Sequence, residues 1–86
     1  LNAVGAREAF DRGLAAIDAG RFADAVTLLR DSLELSPRAP TAFNLGVALR
    51  GVGDALESRA IFDRLLAGEF GSLPTGSGSQ VRRLRE

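Results

Sequence analysis

The sequence lacks cysteine, histidine, tryptophan, tyrosine, methionine and lysine. Without cysteine or histidine it has no thiolate nucleophile, disulfide or Cys/His zinc site. It also lacks the side chain that most often serves as a general base near neutral pH. The remaining residues show no nucleophile–base pair and no cluster of metal ligands. The sequence therefore predicts neither an enzyme nor a protein that binds a metal or another cofactor.

Net charge and long apolar runs are also absent. Eleven acidic residues offset eleven arginines, so no overall basic field is available to hold a nucleic acid. The one basic cluster, Arg82, Arg83 and Arg85, has no interleaved aromatic residue and is interpreted as a solvated helix end. No apolar run approaches the roughly 20 residues that a membrane span requires. The use of arginine alone weakly suggests a bacterial source, and we expect a cytoplasmic protein.

What is present is an internal repeat. Shifting the sequence by 33 positions aligns small or apolar residues with one another. The identical pairs are Ala6/Ala39, Ala9/Ala42, Phe10/Phe43, Gly13/Gly46, Ala15/Ala48, Gly20/Gly53 and Leu33/Leu66. Because these matches recur at helical spacing, the sequence predicts two copies of one structural unit.

Each unit has the pattern of two amphipathic helices joined by a short turn. In the first unit, Gly20 ends one helix and Pro37 follows the other. In the second unit, Pro40 fits the first turn of a helix and Asp54 is a plausible N-cap. Turns this short require the paired helices to run antiparallel.

The core of the fourth predicted helix and the division of the chain follow from the same pattern. We expect burial of Leu56, Ile61, Phe62, Leu65 and Leu66, with Gly68 as the helix stop.

Residues 1–70 then hold two repeats, at about 6–38 and 39–70. Residues 71–79 form a connector rich in glycine, serine and proline. Residues 80–86 form a short helix that caps the array or begins a third repeat.

These motifs together resemble the tetratricopeptide repeat, a helix–turn–helix unit of about 34 residues. Leu45-Gly46 resembles the Leu-Gly of its first helix, residues 20–26 its inter-helix turn, and residues 33–37 its Leu-Glu-Leu-Asp-Pro ending. The resemblance covers roughly residues 6–68. The period is one residue short, and Arg12 stands where the family prefers a buried leucine. The resemblance implies an all-α fold of antiparallel helix–turn–helix hairpins stacked as a short right-handed α-solenoid.

The family binds partner polypeptides in a groove lined by the first helix of each repeat. Carried over to this sequence, the groove candidates are Phe10, Asp11, Leu14, Phe43, Asn44, Val47 and Arg50. Asn44 stands where the family often uses asparagine to bond a peptide main chain, although it could equally be a solvent-exposed helix residue. The apolar candidates could instead be core residues covered by the tail or by a second copy of the chain. Because Phe10 and Phe43 occupy the basic positions of the subclass that grips chaperone C-termini, that activity is not expected.

Two functions from different classes follow. The first is a protein-interaction scaffold whose apolar groove binds a partner protein or peptide, such as an apolar or amphipathic helix. The second is a structural or self-associating fragment of a longer solenoid with no ligand site of its own. About three repeats are usually needed to bury a continuous core, and this chain has little more than two. We therefore expect the chain either to form homo-oligomers or to use its tail as a cap.

Overall fold

The computed structural model describes residues 3–73 and 76–85. Over these residues the chain forms five α-helices and no β-strand. The helices are α1 (Ala3–Asp18), α2 (Phe22–Leu35), α3 (Ala39–Gly51), α4 (Ala55–Leu66) and α5 (Ser77–Arg85). Residues 1–2, 74–75 and 86 belong to the predicted first unit, connector and last helix, and they lie outside the described residues. The all-α class predicted from the sequence is confirmed.

Three helices end in the same way, at glycines with positive φ. Gly20, Gly53 and Gly68 have φ of +77°, +85° and +85°. At the first of these, the Gly20 N–H donates to Ile17 C=O (2.9 Å) and the Arg21 N–H to Ala16 C=O (2.8 Å). The same two bonds occur at Gly53 and at Gly68: the glycine N–H donates to the carbonyl three residues earlier, and the next N–H donates to the carbonyl five residues earlier. This arrangement satisfies carbonyls at the helix end and turns the chain sharply, so α1/α2 and α3/α4 form helical hairpins.

Glycine also sets how closely the two helices of each hairpin approach. A Cβ added at Gly13 would lie 2.6 Å from Leu29 Cγ, and one added at Gly46 would lie 2.5 Å from Phe62 Cε1. Both glycine positions and both partner positions are 33 residues apart. The two hairpins therefore repeat one packing contact, in which a large side chain of the second helix lies against a bare backbone of the first.

One core runs through the adjacent helices. Each helix packs against the next one along the chain. The buried apolar cluster consists of Ala16, Ala25, Leu29, Ala42, Leu45, Ala48, Leu49, Ile61, Phe62, Leu65 and Val81. α3 contributes the most residues to this cluster and contacts α1, α2 and α4. It is the central helix, and only a narrow strip of it reaches solvent.

Two buried serines tie the helices of each hairpin together. Ser32 Oγ donates to the carbonyl of Ala6 at 2.8 Å, and Ser58 Oγ donates to the carbonyl of Gly46 at 2.8 Å. Both residues are nearly inaccessible to solvent, at 2% and 3% exposure. Since a buried hydroxyl without a partner lowers stability, these bonds allow polar side chains in a small apolar core.

The two hairpins meet through α2. The ring of Phe22, at the start of α2, lies against Gly51 at the end of α3, where an added Cβ would be 2.4 Å from the ring. Further along, Arg30 of α2 pairs with Glu57 of α4, with Nη1 and Oε2 2.5 Å apart. These contacts hold the second hairpin against the first at the start of α2 and again about two turns further along it.

α5 packs on α4 and supplies the last core residue. Val81 is fully buried in the common cluster, and Arg85 Nε lies 2.5 Å from Asp63 Oδ1 of α4. The helix begins at Ser77, so residues 77–79, assigned to the connector from the sequence, form its first turn. The spacing of Val81 and Leu84, three residues apart, places both on the face toward α4.

The prediction that Leu56 is buried is wrong. Leu56 is 85% exposed, although it was expected to be buried with Ile61 and Leu65. At 3.6 residues per turn, Leu56 lies roughly 140° and 180° around α4 from those two residues. It therefore points away from the core. Arg12, which stands at a position where the resembled family buries a leucine, is also exposed and pairs with Glu8 at 2.7 Å.

Candidate functional site

The candidate groove residues lie on α1 and α3, which contact each other. On α3 the strip that reaches solvent consists of Pro40, Phe43, Asn44, Val47 and Arg50, since the residues between them are buried. The strip follows helical spacing along the whole length of the helix. α3 thus presents one continuous face that four of the seven candidates share.

A cleft of about 370 Å³ opens between the start of α3 and α5. We call it the α3–α5 cleft. It is lined by Ala39, Pro40, Phe43, Asn44, Ser72, Leu73, Ser77, Gln80 and Val81. Five of these residues are apolar and four are neutral and polar; none is charged. A cavity with this lining favours an apolar group flanked by hydrogen-bonding atoms.

Phe43 forms both the wall of the cleft and the edge of the core. It is half-buried, and its ring centroid lies 6.1 Å from that of Phe62 at an interplanar angle of 52°. This separation is typical of a favourable tilted aromatic pair. Phe43 therefore belongs to the cleft wall and also packs on the core of the second hairpin. A substitution at this position changes both the cleft and the core.

Asn44 lies beside Phe43 at the mouth of the same cleft. Its Nδ2 donates to the carbonyl of Pro40 one turn earlier, at 2.9 Å. The side-chain carbonyl oxygen remains as the acceptor that a ligand N–H can reach. The resemblance implied that the amide offers both donor and acceptor to a peptide main chain. The structure uses one of the two Nδ2 hydrogens within α3 itself, which leaves one N–H and the oxygen for a ligand.

The other candidates do not gather around this cleft. Phe10 is half-buried and lines a second cleft of about 250 Å³, between α1 and the start of α3. Asp11, Leu14, Val47 and Arg50 line neither cleft. Asp11 pairs loosely with Arg7, with Nε and Oδ2 3.8 Å apart. The seven residues are therefore spread along two helices: two line the α3–α5 cleft, one lines the second cleft and four line neither.

The tail supplies the other half of the α3–α5 cleft. Leu73, Ser77 and Gln80 line it opposite α3. Sequence analysis left open that the tail covers Phe43, but it named none of these three residues, because the glycine- and serine-rich segment has no pattern that marks them. The one available signal was the apolar pair Val81 and Leu84, which indicates a helix that must bury one face.

The strongest electrostatic contact lies on the other side of the molecule. The hydrogen bond from Arg30 lowers the pKa of the Glu57 carboxyl below its ordinary value of 4.5. The same bond raises the pKa of Arg30. A third cleft, of about 330 Å³, is lined by these two residues and by Arg64 and Phe70. Arg64 lies over the Phe70 ring, 4.9 Å from its centroid, so three of the charged residues that line this cleft, Arg30, Glu57 and Arg64, contact other side chains of the chain.

Neither a metal site nor a membrane span occurs in the described part of the chain. No group of three or more acidic, cysteine or histidine side chains among residues 3–73 and 76–85 could hold a metal ion. No helix in those ranges is long and apolar enough to cross a bilayer. Comparisons with protein-family models, curated proteins and solved structures gave no match for this chain.

Proposed function

We propose that this chain is a protein-interaction module of the tetratricopeptide type. In this proposal the two hairpins stack as a short right-handed solenoid, and the exposed strip of α3 and the α3–α5 cleft bind a partner polypeptide. Support for the repeat comes from the equivalent contacts Gly13–Leu29 and Gly46–Phe62, 33 residues apart. It also comes from the identical helix endings at Gly20 and Gly53.

The observation that carries the binding role is the lining of the α3–α5 cleft. Its apolar floor, formed by Phe43, Leu73 and Val81, suits an apolar side chain of a partner. The free oxygen of Asn44 and the exposed amide of Gln80 lie on its two sides, on α3 and α5. Two side-chain amides flanking an apolar pocket suit a polypeptide, whose main chain offers N–H and C=O groups next to each side chain.

Selection of peptide ligands tests this role. Random 16-residue peptides displayed on phage are selected on the immobilised chain, and the affinities of the enriched peptides are measured by fluorescence anisotropy. We expect Asn44→Ala to weaken binding roughly threefold to tenfold, the range for loss of one hydrogen bond. Gln80→Trp should weaken it further, because the added ring would occupy the cleft from an exposed position without altering the core.

The matched control is Leu56→Glu, a change at an 85% exposed residue of α4 that does not line the cleft. It should leave peptide affinity unchanged. Peptides that bind Asn44→Ala and Gln80→Trp as well as the parent chain would place the binding site elsewhere and refute the proposal. Circular dichroism of each variant ensures that the compared chains are equally helical.

The alternative function, a self-associating unit of a longer solenoid, is favoured by a different surface. Leu56 and Val52 are 85% and 45% exposed at the turn between α3 and α4. Exposed aliphatic residues grouped at one turn are typical of a surface that another polypeptide covers. Sedimentation velocity of the parent chain and of Leu56→Glu distinguishes the peptide-binding function from the self-associating one. A parent chain that dimerises, together with a Leu56→Glu variant that does not, would favour self-association.

A further inference from the structure

The second cleft has a chemical character unlike that of the α3–α5 cleft. It lies where α1 faces the end of α2 and the start of α3, and its volume is about 250 Å³. The polar residues that line it are Arg7, Ser32, Ser36, Arg38 and Thr41. Two of them carry positive charge and no acidic residue lines the cleft. Asp11, which does not line the cleft, lies 3.8 Å from Arg7.

The N-terminus of α3 opens at this cleft. Arg38 is the N-cap residue and Thr41 is the third helical residue. The first backbone bond of the helix is donated by the Ala42 N–H to Arg38 C=O, at 3.0 Å, so the amides of Ala39 and Thr41 precede it. No side chain caps these amides, and the first turn of α3 contains no acid. A helix start in this condition carries partial positive charge that nothing nearby offsets.

A buried hydroxyl points independently to a ligand. Thr41 is 2% exposed and lines the cleft. Within the described residues its hydroxyl makes no hydrogen bond, whereas the two other buried hydroxyls, those of Ser32 and Ser58, each donate to a carbonyl at 2.8 Å. Because buried polar groups are almost always paired, an unpaired one beside a cavity indicates a bond that a ligand would complete.

We propose that this cleft binds a phosphate group. The guanidinium groups of Arg7 and Arg38 supply charge, the α3 amides supply N–H donors, and the hydroxyls of Ser36 and Thr41 supply O–H donors. Donors on several sides and two positive charges match a tetrahedral dianion better than a planar carboxylate. The Ser32 hydroxyl takes no part, because it already donates to Ala6. The proposal goes beyond the peptide-binding role and does not depend on it.

Titration with small anions tests the site without any protein partner. The amide resonances of the ¹⁵N-labelled chain are followed by NMR at constant ionic strength, with inorganic phosphate, phenyl phosphate or acetate as the probe. We expect saturable shifts of the Ser36, Ala39 and Thr41 amides with a phosphate. Tighter binding of phenyl phosphate identifies a phosphate monoester as the natural group, and tighter binding of inorganic phosphate identifies the free ion. Acetate binding as tight as phosphate binding would overturn the assignment.

Two variants separate a specific site from general charge attraction. Arg38→Gln should weaken phosphate binding about tenfold, as expected for loss of a charge-assisted hydrogen bond. Arg83→Gln removes the same charge from an exposed position on α5 and should leave binding unchanged. Equal weakening by both variants would show that the phosphate responds only to net charge and would refute the site.

Thr41→Val distinguishes a ligand-binding hydroxyl from a structural one. The substitution keeps the shape of the side chain and removes the hydroxyl. If the hydroxyl is reserved for phosphate, the variant binds phosphate several-fold more weakly, and its urea-unfolding midpoint without phosphate is unchanged or higher. A lower midpoint, or unchanged phosphate affinity, would refute the role of Thr41.

Discussion

Gly46 of α3 lies directly under the aromatic ring of Phe62 of α4. An added Cβ at residue 46 would be 2.5 Å from Cε1 and 2.6 Å from Cζ of that ring. Both residues are buried, and Phe62 is 0% exposed. The distance between α3 and α4 therefore depends on the absence of a side chain at position 46.

The first prediction concerns this contact and its counterpart in the first hairpin. Gly46→Ala and Gly13→Ala should each destabilise the fold by about 1–3 kcal/mol, the usual cost of overpacking, despite the better helix propensity of alanine. The measurement is the free energy of unfolding from urea denaturation. Gly5→Ala is the matched control, because its Cβ would meet only Leu35 Cδ1, at 3.6 Å.

The control should be neutral or more stable by up to about 1 kcal/mol, since alanine favours a helix interior over glycine. If all three substitutions changed stability by the same amount, the close approach of the helices would not be what requires glycine. Similar losses at positions 13 and 46 would show that the two hairpins use the same packing contact.

The second prediction concerns the pH dependence contributed by the Arg30–Glu57 pair. The pKa of Glu57 is lower in the folded chain than its ordinary value of 4.5. The unfolded chain therefore binds a proton at a higher pH than the folded chain does. The pair's contribution to stability is complete above about pH 4.5 and is lost as the pH falls through the folded pKa. Because the two side chains are 45% and 37% exposed, we expect at most about 1 kcal/mol.

Urea denaturation of the parent chain, Glu57→Gln and Arg30→Gln at pH 7 and at pH 3 measures this contribution. Each variant should lose less stability than the parent between the two pH values, and the double variant should add little to either single one. An identical loss in all the chains would show that the pair does not contribute to acid sensitivity.

The third prediction concerns the docking of α5. Val81→Asp should lower the free energy of unfolding by about 2 kcal/mol or more, because burying a valine contributes roughly 1.5–3 kcal/mol and a carboxylate is costly to bury. Release of α5 would uncover the apolar residues of α4 that it protects. We therefore also expect the variant to self-associate in sedimentation velocity runs.

Gln80→Asp is the control for this change, as it adds the same charge at the neighbouring, exposed position. It should remain as stable and as monodisperse as the parent chain. If Val81→Asp behaved like Gln80→Asp, α5 would be a dispensable tail and the α3–α5 cleft would lose one wall. The test therefore also bears on the proposed peptide site.

Most of the local structure was predictable because it depends on residues close together in the chain. The helix ends at Gly20 and Gly68 follow from the freedom of glycine to take positive φ. The Asp54 side chain caps α4 by accepting from the Glu57 N–H at 3.1 Å, as its type and position predict. The error at Leu56 arose because an apolar residue in a first helical turn was assumed to face the core.

The candidate site was predictable only in part. The family resemblance assigned Phe43 and Asn44 to a groove lined by the first helix of each repeat, and in the structure both lie on the strip of α3 that reaches solvent. One of the two N–H donors of the Asn44 amide is used within α3, because the carbonyl of Pro40 accepts from it. The sequence left open that the tail covers Phe43, but the residues of the second wall could not be named, because no local pattern states where α5 docks.

The sequence by itself therefore determined the two units, their turns and the residues that let paired helices touch, because propensity, capping and 33-residue periodicity act along the chain. Only the tertiary structure decided that α5 returns to cover α4 and that a cleft remains between α5 and α3. It also decided that Arg7, Arg38 and Thr41 converge on the start of α3. These arrangements depend on contacts between residues about 20 to 40 positions apart, which form only when packing brings the helices together.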